Sequence, residues 1–233
     1  MVKQVPPHAS SALPHLPPLE SGDRLTRPEF ERRYAAADIK KAELIEGIVY
    51  VASPLRHEQH GKPHSRVMTW LGVYQAMTPG VDLSVEPTVR LDLDNEPQPD
   101  AVLFIETNAG GQTRISSDGY IEGSPELIVE IAASSAAIDI GIKKQVYRRN
   151  GVLEYVIWQS YDNQLEWFWL TDGEYQLLSP DPDGTIRSRV FPGLWLAVES
   201  LLSNQMTHVL EVLQQGLHSP EHAAFVEQLQ QQL

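Results

Sequence analysis

The amino-acid sequence predicts an α/β fold, a mixed sheet with helices packed against it. Two stretches, 65–77 and 138–150, carry apolar residues at the steps of three and four that mark an amphipathic helix. Around them lie short apolar or alternating runs bounded by glycine, proline, asparagine and aspartate, the pattern of strands. The resulting order is hairpin, helix, strands, helix, strands, which a single sheet covered by helices accommodates.

Residues 1–22 read as a disordered Pro-rich arm. They hold much proline and serine, few large apolar side chains, and no apolar core of the kind a signal peptide needs. Arg27–Tyr34 reads as a short helix with Thr26 as N-cap, Pro28 at its start and Glu29 in its first turn. From Ala42 to Ala52 two apolar runs flank Glu46-Gly47, a hairpin signal. The helix 65–77 has Val67, Trp70, Leu71 and Tyr74 on one face, with Pro63 before it and Thr78-Pro79-Gly80 after it.

Val81–Leu93 reads as one or two strands, with Pro87 marking an edge or a break. Ala101–Ile105 reads as a buried strand and Thr107–Gly119 as a long mobile loop. Glu126–Ile131 is a further strand, and Ala132–Ala137 a connection of small residues. Ile138–Asn150 is a helix with Ile142 and Val146 on one side, stopped by Asn150-Gly151. Leu153–Trp158, Leu165–Leu170, Glu174–Leu178 and Ile186–Val190 read as a β-meander, after which Leu194–Leu202 packs down. Met206–Leu217 and Glu221–Leu233 are C-terminal helices, an extension over 203–233 beyond a domain spanning 23–202.

Bulk properties narrow the function. The 233 residues are 42% hydrophobic, enough for one domain with a real core. There is no cysteine, so a disulfide framework and cysteine-ligated zinc are excluded. No apolar run approaches the roughly 18–20 residues needed to span a bilayer, and the chain reads as cytoplasmic. A net charge of −13 opposes broad adhesion to DNA or anionic membranes, but leaves room for a local basic groove.

The chemistry gathers around Glu130. On its strand Ile128, Glu130 and Ala132 share one face and Leu127, Val129 and Ile131 the other. A carboxylate in the middle of an apolar strand is costly to bury unless something pairs with it. The ordinary explanation is an ion pair with an arginine. Asp100, after Gln98-Pro99, opens the apolar run Ala101–Ile105; alone it is a common cap. Lys143 lies one helical turn from both Asp139 and Tyr147, so the three share a face. As a surface pair Asp139–Lys143 would contribute only a few tenths of a kcal/mol. The functional reading points Lys143 back at Glu130. Two carboxylates at strand ends then hold Mg²⁺, and an ammonium beside them orients a water or offsets transition-state charge. Lys144, Arg148 and Arg149 add positive charge suited to a phosphate backbone.

These residues carry a resemblance. Glu43-Leu44-Ile45-Glu46-Gly47, Gln98-Pro99-Asp100 and Pro125-Glu126-Leu127-Ile128-Val129-Glu130-Ile131 occur in the order found in the Uma2 (DUF820) family of the PD-(D/E)xK nuclease superfamily. The match continues through Ser134, Asp139, Lys143, Tyr147, Gly151-Val152 and Glu154-Tyr155, about two-thirds of the chain. The resemblance implies a restriction-endonuclease-like mixed central sheet flanked by helices. It also implies Mg²⁺-dependent endonuclease activity on nucleic acid, DNA above RNA, with Mn²⁺ substituting. In the wider superfamily the lysine stands two residues after the second acid; here that place is Ala132, and the resemblance implies a lysine moved to the next helix as Lys143. It further implies Glu43 as an extra acid and His57 as a pocket residue. Many Uma2 members have proline after the serine matching Ser134; this chain has Ser135, so the loop is expected to differ.

Other signals are weaker. His57-Glu58-Gln59-His60 has the wrong histidine spacing for a zinc protease, and Gly61 and Pro63 are expected to break a helix there; His57, His60 and His64 could still bind a metal such as zinc, but an exposed polar loop is the expected reading. Gly110-Gly111 lacks the lysine and helix of a phosphate loop. Trp158, Trp167, Phe168 and Trp169 suit base stacking, but on meander strands they suit core or dimer packing better. A homodimer is expected, because a double-strand cut needs two sites. The competing reading is a nuclease-like scaffold that binds protein or nucleic acid without cutting. Metal binding between Asp100 and Glu130 discriminates the two.

Overall fold

The computed structural model of the chain describes residues 16–133 and 138–232. Helix α1 (Arg27–Ala36) leads to a hairpin of β1 (Ala42–Ile45) and β2 (Ile48–Val51). Helix α2 opens on a wide π-helical turn, His57–Gly61, and continues as an α-helix over Lys62–Ala76. There follow β3 (Val81–Val85), β4 (Val89–Arg90), β5 (Ala101–Ile105), β6 (Arg114–Ile115), β7 (Ile121–Glu122) and β8 (Leu127–Ala132). Helix α3 also opens on a π-helical turn, Asp139–Lys143, and runs on as Lys144–Asn150. The chain ends with β9 (Glu154–Gln159), β10 (Gln164–Thr171), β11 (Glu174–Leu177), β12 (Thr185–Arg187), β13 (Trp195–Ala197), α4 (Val198–Leu202), α5 (Met206–Leu217) and α6 (Pro220–Gln230).

The main sheet has six strands in the order β11-β10-β9-β8-β5-β3. Strands β8 and β9 are parallel and the other neighbours antiparallel. A parallel pair cannot be joined by a tight turn, so α3 makes the crossover between β8 and β9. Ala101, Leu103, Leu127, Val129, Ile131, Val156 and Trp158 of one sheet face share a core with Val67, Trp70, Leu71 and Tyr74 of α2. On the other face Val102, Phe104, Ile128, Ala132, Tyr155 and Ile157 pack with Tyr147 of α3. Glu130 lies on that second face by parity. Among the described residues no helix is long and apolar enough to cross a membrane.

Several expectations change. The run Ile186–Val190 does not extend the meander: β12 pairs with β13 in a separate ribbon. The amides of Arg189 and Val190, needed for a longer ladder, donate instead to the buried Glu154 carboxylate. The C-terminal helices are built into the main core through Val209, Leu213, Leu217, Phe225 and Leu229. Residues 1–15 of the Pro-rich arm lie outside the described residues, but its last part is packed. Leu19 is buried with Phe30, Ala42, Leu44 and Val49, and Ser21 Oγ accepts from Val51 N at 2.9 Å. Thr26 stands at the start of α1 without a side-chain capping bond.

The segment Thr107–Gly119 is tied down rather than loose. Buried Glu126 accepts from Ile105 N and Gln112 N, each at 3.0 Å, and so clamps both ends of the turn between them. Replacing it by alanine orphans two amides, with an expected loss of roughly 2 kcal/mol. Hydrogen exchange should report faster exchange at Ile105 and Gln112; unchanged protection there would show that the clamp does not hold the segment.

Candidate active site

The hairpin β1–β2 sets the first carboxylate. Its turn residues Glu46 (φ 53°) and Gly47 (φ 69°) both take positive φ, which suits a two-residue hairpin turn to the strand twist. Asn95 Oδ1 accepts from Glu46 N at 2.8 Å. Leu44 and Glu96 exchange backbone bonds of 3.2 and 2.7 Å, so residues 95–100 run beside β1. In that register Glu43 Oε1 accepts from Gln98 N at 2.7 Å. Asp100 immediately precedes β5, and its Oδ2 accepts from Ile131 N at 2.6 Å, directly beside Glu130 on β8.

Helix α3 brings in the lysine. Asp139, Lys143 and Tyr147 are all buried, at 2%, 3% and 0% exposure. Ile140 and Ile142 are exposed instead, because the opening π-helical turn points its polar residues at the sheet. Ile142 therefore does not share a buried side with Val146. Lys143 Nζ lies 2.8 Å from Glu43 Oε1, 2.9 Å from Glu130 Oε1 and 3.5 Å from Asp139 Oδ1. Tyr147 OH donates to Glu130 Oε1 at 2.7 Å. Asp139–Lys143 is thus part of a buried cluster, not a surface pair. Asp100 Oδ1 faces His60 Nε2 at 3.2 Å and Lys41 Nζ at 3.7 Å. All of these groups except Tyr147 line a cleft of about 680 Å³, with the exposed Leu55, Arg56 and Tyr161 on its walls.

Burial pushes Glu130 up to about 8, and the charges of Asp139, Asp100 and Glu43 act in the same sense against the attraction of Lys143. Lys143 is held charged: burial opposes its charge, but Glu130, Glu43 and Asp139 outweigh burial and raise it. Tyr147 is raised by burial and by the acids around it, so it stays a neutral donor. Asp100 goes the other way. Burial would raise it, yet His60, Lys41 and the Ile131 amide together lower it. His60 is raised, because Asp100 outweighs the effect of burial. An all-oxygen set of Glu43, Asp100 and Glu130 suits a hard divalent cation such as Mg²⁺.

The fold therefore brings together Asp100, Glu130, Lys143, Glu43, Asp139 and Tyr147. It does not bring in the basic residues expected to meet a backbone. Arg148 is bonded to Gly173 O and Glu174, Arg149 is paired with Glu46, and Lys144 stacks its ammonium 3.3 Å above the Phe168 ring. None of the three lines the cleft; Lys41 and Arg56 do. His57 does not line it either, and His60 takes that place because His57–Gly61 is helical rather than a loop. Lys41 was legible from parity, two residues before Glu43 on the same strand face. Ser134 and Ser135 lie outside the described residues.

The Uma2 family, described as "Putative restriction endonuclease", matches residues 27–199. A crystal structure from Anabaena variabilis, described as "a putative nuclease belonging to DUF820", has the same fold with a TM-score of 0.57 at 14% identity. The superposition covers 74% of this chain and 96% of that one. Comparison with curated proteins gives no match. With a family match over most of its length, and with the mixed sheet and helices of that DUF820 structure, the chain belongs to the Uma2 family.

Proposed function

We propose that this protein is a metal-dependent endonuclease that hydrolyses phosphodiester bonds in DNA. The observation that carries the reading is the buried contact of Lys143 with Glu130 in a cleft that also holds Asp100. Carboxylates that serve only a structural ion pair have no need of such a cleft. Asp100 and Glu130, with Glu43 as a third acid, would hold Mg²⁺, or Mn²⁺ in its place. Held there, such a cation would supply a Lewis acid for the phosphodiester and would lower the pKa of a bound water. Lys143 is positioned to orient that water and to offset developing charge. Asp139 and Tyr147 keep the lysine and Glu130 in register, and Lys41 and Arg56 meet the phosphate backbone.

The protein is proposed to act as a homodimer, so that two sites address two strands. Trp158 and Trp167 are in the core, as are the apolar faces of the C-terminal helices, which leaves half-buried Trp169 on β10 and the glutamine-rich faces of those helices as candidate pairing surfaces. Light scattering at micromolar concentration tests this, and a monomer would refute it.

The reading is tested by calorimetry with Mg²⁺ and by nicking of supercoiled DNA, at low salt because the net charge of −13 weakens phosphate contacts. Lys143→Met should still bind Mg²⁺ while cutting roughly 10²–10³-fold more slowly. It takes the ammonium out of a cluster of buried acids and should lose about 3–5 kcal/mol in metal-free buffer. Mg²⁺ should restore part of that stability. A wild-type chain that binds no divalent ion and cuts neither DNA nor RNA would leave the non-cutting scaffold as the better account.

A further inference from the structure

We propose that His60, His64 and Glu86 form a second metal site, beside the cleft with His60 on its wall, for a divalent first-row transition metal such as Zn²⁺ or Co²⁺. One ligand atom from each lies within 4.8 Å of the other two. The histidines that match in spacing are not His57 and His60 but His60 and His64, four apart. They are stacked one turn from each other where the π-helical opening of α2 meets its α-helical body, with ring centroids 5.6 Å apart. Glu86 reaches them from the turn after β3, where it takes a positive φ of 46° and donates its amide to Asp100 O at 3.1 Å.

His64 is oriented as metal-bound histidines are. Its Nε2 meets the Asp100 carbonyl oxygen at 2.9 Å. A carbonyl only accepts, so this contact puts the proton on Nε2 and leaves the lone pair on Nδ1, where a metal can take it. His60 is 7% exposed, and its Nε2 is buried without a directed hydrogen bond although Asp100 Oδ1 is 3.2 Å away. Asp100 favours a proton on this ring, and a metal that takes Nε2 would displace that proton and supply the positive charge in its place.

The donor set also sets the metal. Two imidazoles and a carboxylate favour Zn²⁺, Co²⁺ or a similar ion, whereas the oxygen-only set of Asp100 and Glu130 favours Mg²⁺. The two sites abut at Asp100 but share none of their proposed ligands, so Co²⁺ and Mg²⁺ uptake can be read separately. Lys41 is the competitor. Its ammonium lies 3.3 Å from Glu86 and 3.7 Å from Asp100, where it already supplies positive charge. A metal must displace it.

The test titrates the metal-free full chain with Co²⁺ in excess Mg²⁺, followed by calorimetry and by visible ligand-field absorption. One Co²⁺ should bind per chain. His64→Ala and Glu86→Gln should each weaken binding by more than ~10-fold, since even groups that only support a ligand have effects of that size. Both positions are solvent-accessible, so melting curves should confirm that the variants fold. His57→Ala and Glu130→Gln should leave Co²⁺ binding unchanged, and Lys41→Met should tighten it. No Co²⁺ uptake by the wild type would overturn the proposal, and so would uptake indifferent to both His64→Ala and Glu86→Gln. Loss of Mg²⁺ binding in Glu130→Gln with Co²⁺ binding retained would show two independent sites.

Discussion

Glu130→Ala is expected to abolish metal-dependent cutting of DNA while leaving the chain folded. The loss should be at least about 10²–10³-fold, the scale of removing one transition-state stabiliser, and larger if the metal itself is lost. Folding should survive because the cluster is redundant around the lysine. Lys143 keeps Glu43 at 2.8 Å and Asp139 at 3.5 Å. Tyr147 OH loses its acceptor, at a cost of about 1–3 kcal/mol. Against that, Glu130 is pushed up to about 8, so its ionised form is itself unfavourable in the fold, and its removal returns part of the loss. Nicking assays with Mg²⁺ and Mn²⁺, beside a melting curve, separate the two effects. Glu130→Gln keeps an acceptor for Tyr147 and should be inactive as well. Wild-type cutting rates in either variant would remove Glu130 from the chemistry.

Glu154→Ala should have a large effect on stability and none on the cleft. Glu154 is fully buried at the start of β9. Its Oε1 accepts from Arg189 N at 2.6 Å and Val190 N at 3.3 Å, and its Oε2 from Ser188 Oγ at 2.8 Å and Trp167 Nε1 at 3.2 Å. It is the pin between β10 and the bend that leads to Phe191. Alanine leaves Arg189 N, Ser188 Oγ and Trp167 Nε1 without an acceptor, while Val190 N keeps Ser188 Oγ at 3.1 Å, an expected loss of roughly 3–5 kcal/mol. At this chain length that corresponds to a melting temperature lower by about 10 °C.

The pH dependence has a definite sign. Burial pushes Glu154 from the ordinary 4.5 up to about 7, against four donors that pull it down. The folded chain thus holds this proton more tightly than the unfolded chain. The associated stability is complete below about 4.5 and is lost as pH rises through about 7. The alanine variant lacks this component, so its deficit should be greatest near pH 5 and shrink toward pH 8. Urea titrations across that range measure it. A deficit that grows with pH would mean that the carboxylate is preferred ionised in the fold.

Glu130 was legible in the sequence because a single carboxylate in an apolar strand has few cheap explanations, and strand parity assigned it to the face that α3 covers. Asp139, Lys143 and Tyr147 were legible because a spacing of four keeps them on one helix face, and that survives the π-helical turn at the helix start. The Glu46-Gly47 turn and the order of strands and helices followed from local backbone preferences and apolar periodicity. His60, Glu126 and Glu154 were not legible in the same way. Nor was the outward placement of Arg148 and Arg149. Periodicity tells which residues share a face, but it says nothing about which distant segment packs there. Only the tertiary structure decided that residues 95–100 run beside β1, that the start of α2 lies against Asp100, and that Glu154 takes the amides of the bend before Phe191. Those contacts join segments tens of residues apart. They are settled by the packing of the whole core, not by the local sequence on either side.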